Sequence, residues 1–133
     1  MEFIAIAKSV RIAPRKIRLV ADAIRKQKSL GKSLDALTLM NKRASNPVAK
    51  TLESAIANAV NRGAKKEELF LKSIEIMEGT AIKRYRPSTR GRVHPYKKRS
   101  SHIKIILADN LTQNSKGKTQ NLITKGASHG TKS

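Results

Sequence analysis

The chain has 133 residues, enough for one modest core, and its 29 Lys and Arg against 9 Asp and Glu give a formal charge of +20. A compact body so charged repels itself and seeks a polyanion, nucleic acid ahead of anionic membrane. Cysteine is absent, which excludes disulfides and Cys-ligated zinc, and no apolar run approaches the roughly 18–20 residues that span a bilayer. The opening MEFIAIAKSVRIA is too short and too charged for a secretory signal, and Glu2 argues against a transit peptide. The expectation is a chain made and used in one soluble compartment.

In chain order, EFIAIAKSV (residues 2–10) is apolar and β-branched and predicts a short strand. Pro14 suits the first turn of a helix. Within PRKIRLVADAIRKQ (residues 14–27), Ile17, Val20, Ala21 and Ile24 follow the spacing of a buried stripe. Arg18 and Arg25 share one flank, with Arg15, Asp22 and Lys26 further round. Arg11, Arg15, Lys16, Arg18, Arg25, Lys26 and Lys28 share only Asp22 as a nearby partner, which favours phosphate contact over mere solubility.

KSLGKS (residues 28–33) reads as a loop, with Ser33 capping a second helix, LDALTLMNK, and Asp35 in its first turn. A third helix is expected to open at Asn46-Pro47. Val48, Leu52, Ala55, Ile56 and Ala59 would form its buried face, and Gly63 would terminate it. In LFLKSIEIMEG (residues 69–79), Phe70, Lys72, Ile74 and Ile76 alternate with Ser73, Glu75 and Met77, predicting a second strand. SHIKIILAD (residues 101–109) predicts a third, with Ile103, Ile105 and Leu107 on one face.

Between these strands lies KRYRPSTRGRVHPYKKRSSH (residues 83–102). It carries Lys83, Arg84, Arg86, Arg90, Arg92, Lys97, Lys98 and Arg99, and no carboxylate occurs between Glu78 and Asp109. Free in water, such an excursion is poorly ordered; phosphates neutralise it and let its strands pair far from a core. Arginine's planar fork suits phosphates and base edges, and Tyr85 and Tyr96 offer rings for base stacking. Gly91, free to take positive φ, is the expected reversal point. From Asn110 the chain turns to Lys, Thr, Ser, Asn, Gln and Gly, a basic polar tail expected to be disordered when free.

The order strand, three helices, strand, excursion, strand predicts an α+β fold. Three helices would pack on a small, mostly antiparallel three-stranded sheet with a long protruding hairpin. One RNA-binding domain is expected over residues 1–109, including a hairpin at 79–102, with the tail at 110–133.

Catalysis has no candidate residues. His94, His102 and His129 lack metal-site spacing, and Glu67 and Glu68, being adjacent, point apart. No phosphate loop, nucleophile elbow or Cys-His arrangement is present. Neither a metal nor another cofactor is expected. Helix-turn-helix and zinc-finger spacings are missing too, so the DNA alternative is an architectural protein using the hairpin as a minor-groove arm. A cationic membrane-active protein is the more distant third class, disfavoured by a short, alanine-rich first helix.

Taken together, APRKIRLVADAIR, SAIANA, EGTAIKRYRP, RGR and KRSSHIKIIL, from about Phe3 to Asp109, resemble the ribosomal large-subunit protein family numbered twenty-two, in its bacterial or organellar form. The resemblance implies an α+β domain on the outside of the large subunit, bound to large-subunit ribosomal RNA and adjoining neighbouring large-subunit proteins. It also implies a hairpin whose tip lines the nascent-peptide exit tunnel and meets the nascent polypeptide. By motif match, Arg15, Lys16 and Arg18 belong to the basic first helix, and Lys83, Arg84 and Pro87 to the outgoing strand. Arg90, Gly91 and Arg92 fall at the tip, and Lys98, Arg99, Ser101 and His102 on the return. Ser88 departs from the family's pattern, standing where arginine is common. The implied location is a cytoplasmic ribosome, with a plastid ribosome as the alternative, and no membrane.

Overall fold

A computed structural model describes residues 1–27 and 29–109. The expectations for Lys28 and for the tail at 110–133 lie outside the described residues. Strand β1 (Glu2–Val10) is followed by helices α1 (Pro14–Arg25), α2 (Leu30–Leu39) and α3 (Ser45–Asn61), then by strands β2 (Leu69–Pro87) and β3 (Val93–Asp109). The sheet order is β1-β3-β2, antiparallel throughout, so the last of the three described strands lies in the middle. The α+β architecture with its long hairpin is the one expected.

One face of the sheet carries the core. Phe3 and Ala5 of β1 pair with Leu107 and Ile105 of β3, and Leu71, Ile74 and Ile76 of β2 pair with Leu107, Ile105 and Ile103. Helix α1 covers this face with Ile17, Val20, Ala21 and Ile24, and α3 with Val48, Leu52, Ala55, Ile56 and Ala59, all buried. Ala55 and Ala59, fully buried, keep α3 close to β1 and β3. At the end of α3, Gly63 takes φ 85. There its N–H donates to Val60 O (2.9 Å) and the Ala64 N–H to Ala59 O (3.1 Å), the paired closure that favours glycine. The other face of the sheet is open: Ile4, Ile6 and Met77 are each about half exposed.

Local details depart from the expectations, each for a packing reason. Helix α2 begins at Leu30, and Ser33 is buried within it, its hydroxyl donating to Ser29 O (3.0 Å) rather than capping a helix start. Leu30, Ser33 and Leu37 form its buried stripe; burying a leucine, about 1.5–3 kcal/mol, outweighs the roughly 1 kcal/mol cost of Gly31 in a helix. Asp35 is consequently exposed in mid-helix, and the helix stops at Leu39. Helix α3 starts at Ser45, whose hydroxyl bonds back to Met40 O and Lys42 O, so Asn46 is not its cap. Helix α1 stops at Arg25, short of the expected Gln27.

In β2 the register shifts between Leu71 and Ser73. This bulge puts Leu69 and Leu71 on the core face with Ile74 and Ile76, so Phe70 and Lys72 do not share the face of Ile74 and Ile76. A second shift, between Glu78 and Ala81, marks the point where the hairpin leaves the body. From Ala81 to Pro87, paired with Arg99 to Val93, the two strands run on alone for about 20 Å at 3.3–3.4 Å per residue.

Three consecutive residues of β3 hold the foot of this stalk. The Ser100 hydroxyl donates to Thr80 O (2.6 Å), the buried Ser101 hydroxyl to Ile12 O, and the Ser9 N–H to His102 Nδ1 (2.9 Å). Ser9 reaches that position through a break in the β1 register and φ 56. Ser101→Ala is expected to lower stability in urea unfolding by about 1–2 kcal/mol, because it strips a buried bond, and Ser100→Ala by less than about 0.5 kcal/mol. In the isolated protein, amide exchange is expected to be slow in α3 and close to the solvent limit around Arg90, where nothing is buried.

Candidate nucleic-acid interface

Beyond Gly79 the hairpin buries almost nothing. From Ala81 to Arg99 every residue is exposed except the half-buried Tyr96. Its strands persist because the backbone ladder continues, and because the turn closes with Ser88 N–H on Arg92 O (2.8 Å). The reversal uses two residues: Arg90 at φ 59 and Gly91 at φ 67 both lie in the left-handed region. Glycine does this freely; arginine does so against a steric preference, tolerable in one residue at an exposed tip.

The structure places Lys83, Arg84, Arg86, Arg90, Arg92, Lys97, Lys98 and Arg99 along this stalk and its tip, all exposed. Arg99 reaches Glu78 (3.3 Å) at the foot. Among the described residues, the other seven make no ion pair. The Arg86 guanidinium instead lies over the Tyr96 ring, 4.8 Å from its centroid, a geometry in which the ring face attracts the cation.

Where the stalk meets the body, a cleft of about 660 Å³ opens. Its walls combine Arg84, Lys97, Lys98 and Arg99 of the hairpin with Arg11 of the β1–α1 connection and Arg43 of the α2–α3 connection. An adjoining cleft of about 430 Å³ shares Arg11 and Arg43 and adds Lys16 and Lys42. Among the described residues, no carboxylate lines either cleft. The arrangement makes one cationic track from the start of α1 to the outer hairpin, suited to a run of phosphates.

Lys42 and Arg43 were absent from the sequence-derived set. The only signal for them is a pair of cations, in MNKRAS, without a nearby carboxylate; the fold alone brings that connection beside the hairpin. The other helix cations divide. Arg15 is exposed and lies outside both clefts. Arg18 and Arg25 turn toward the edge of β2, where Arg18 donates to Ile76 O (3.4 Å) and Arg25 to Ile74 O (2.6 Å). Arg25 also pairs with Asp22 (2.8 Å). Both guanidiniums therefore strap α1 to an edge strand with part of their donor capacity and keep the remainder outward.

No group of three metal-ligating side chains gathers among the described residues, and no helix there is long and apolar enough to cross a membrane. Comparison with known proteins agrees with the architecture. The family model described as ribosomal protein L22p/L17e matches residues 5–108. Among curated relatives, the large ribosomal subunit protein uL22 of Thermus thermophilus is 51% identical over 110 residues, covering 82% of this chain and 96% of that protein. The protein of the same name from Mesoplasma florum is 46% identical over 110 residues, covering 82% of this chain and 97% of its own length. With its fold, its cationic hairpin and matches that span nearly the whole described chain, this protein belongs to the ribosomal protein L22p/L17e family.

Proposed function

We propose that the chain is a non-enzymatic structural constituent of the large ribosomal subunit that binds large-subunit ribosomal RNA along the cationic track, with the hairpin tip in the wall of the nascent-peptide exit tunnel. The observation that carries this reading is a stalk about 20 Å long that buries almost no side chain and holds seven exposed cations without an ion-pair partner among the described residues. A polyanion supplies the neutralisation that the chain itself omits. Family membership favours RNA over the DNA minor groove, and bacterial relatives named for the large subunit favour a ribosome in the cytoplasm. Neighbouring large-subunit proteins and the passing nascent polypeptide complete the proposed partners.

Two measurements test this. If the eight hairpin cations each neutralise one phosphate, the log–log salt dependence of RNA affinity is expected to have a slope of about −6. A slope near −1 would remove the hairpin as the main contact surface. Replacing both Arg90 and Arg92 by Ala is expected to move stability by about 0.5 kcal/mol or less and to leave large-subunit incorporation intact. Chemical footprints of the tunnel RNA should change in that double variant; unchanged footprints would put the tip elsewhere.

A further inference from the structure

The two faces of the hairpin carry different chemistry. On one, Arg84 stands opposite Tyr96 and Arg86 opposite His94, and Arg86 covers a face of the Tyr96 ring. On the other, Lys83 stands opposite Lys97, Tyr85 opposite Pro95, and Pro87 opposite Val93. Tyr85 is 67% exposed, far more open than Tyr96.

Register explains how this second face tolerates two prolines. The Ser88 N–H to Arg92 O bond marks that row as hydrogen-bonded, so the alternating rows Pro87–Val93 and Tyr85–Pro95 are not. In such rows the missing proline N–H costs no ladder bond, and cross-strand side chains stand closest. Tyr85 thus stands directly across from Pro95 in a close-paired row, with Pro87 and Val93 one step toward the tip on the same face. One row toward the body on the same face, Lys83 and Lys97 are directly opposed. Like charges in that position destabilise the ladder unless an anion lies between them. Two residues along a strand is about 6.6 Å, comparable to the span from a nucleotide's phosphate to its base.

We propose that this face holds one unpaired nucleotide of the bound RNA, its phosphate between Lys83 and Lys97 and its base stacked on Tyr85. The inference rests on the RNA-binding reading above and adds to it a position where the hairpin reads a base instead of a phosphate. Tyr96, engaged by Arg86, plays no such part.

The chain has no tryptophan, so Tyr85→Trp in the full-length protein supplies a single indole reporter. Titration with a single-stranded RNA oligomer is expected to quench the indole strongly. A fully paired RNA duplex and inorganic polyphosphate, which offer phosphates without free bases, should bind with little quenching. Tyr85→Leu should weaken single-strand affinity about 10-fold at fixed salt, as loss of one base–aromatic stack does, with Tyr85→Phe near wild type and duplex affinity unmoved by either. Equal quenching by polyphosphate, or by an extended peptide in place of RNA, overturns the proposal. Wild-type single-strand binding by Tyr85→Leu overturns the stack alone, whereas absence of salt-sensitive RNA binding by the unmodified chain overturns the RNA-binding reading together with it.

Discussion

The hairpin depends on three adjacent side chains at its foot. Ser100, Ser101 and His102 bond in turn to the β2 bulge, to the β1–α1 connection and to the strained Ser9 of β1. None of the three is an ion pair, so salt screens them less than it screens the cations along the stalk. Their close packing needs Gly79: a Cβ there would stand 2.5 Å from Ser100 Oγ and 3.3 Å from His102 Nε2. The stalk is aimed by these hydrogen bonds at its root, and its cations face outward.

That division runs along one pair of strands. On the body's half of the sheet, three cations meet carboxylates: Lys72 with Glu2, Lys104 with Glu75, and Arg99 with Glu78 at the border. Past the bulge at Glu78–Ala81 the same ladder continues with no carboxylate at all. The bulge therefore separates a sheet that carries its own carboxylates from a ribbon that carries only cations. Bulges twist and re-aim strands, which is what a projecting arm requires at its root.

Much of this was legible because it depends on local pattern. The i, i+3, i+4 stripes of α1 and α3 and the alternation of β3 require burial wherever they fold, and a carboxylate-free run of arginines is visible without a structure. What stayed hidden depends on register or long-range placement. The bulge at Lys72 inverts the phase of Leu69–Leu71 relative to the rest of β2, and no propensity marks it. Ser33 has the chemistry of a cap but is held inside α2 by the burial of Leu30. Arg18 and Arg25 share a helix flank with solvated residues, and only the position of the β2 edge makes them straps. Arg43 joins the cationic track across a distance in sequence that charge patterning does not measure.

The central position of β3 has a consequence for how the chain is made. Phe3 and Leu107 are partners, so β1 and β2 each hydrogen-bond to β3 and join one sheet through it. Until residues 101–109 emerge, the apolar side of β1 has helices to lie against but no ladder to join, and its unpaired edge is open to other chains. Closing so long a loop makes the sheet a high-contact-order event, slow relative to its helices. A chain that stopped before residue 101 would lose the axis of the sheet, not a margin of it, and would have no smaller version of the fold to fall back on. Formation of this sheet is all-or-none in a literal sense: the third described strand is the one that makes the first one a strand.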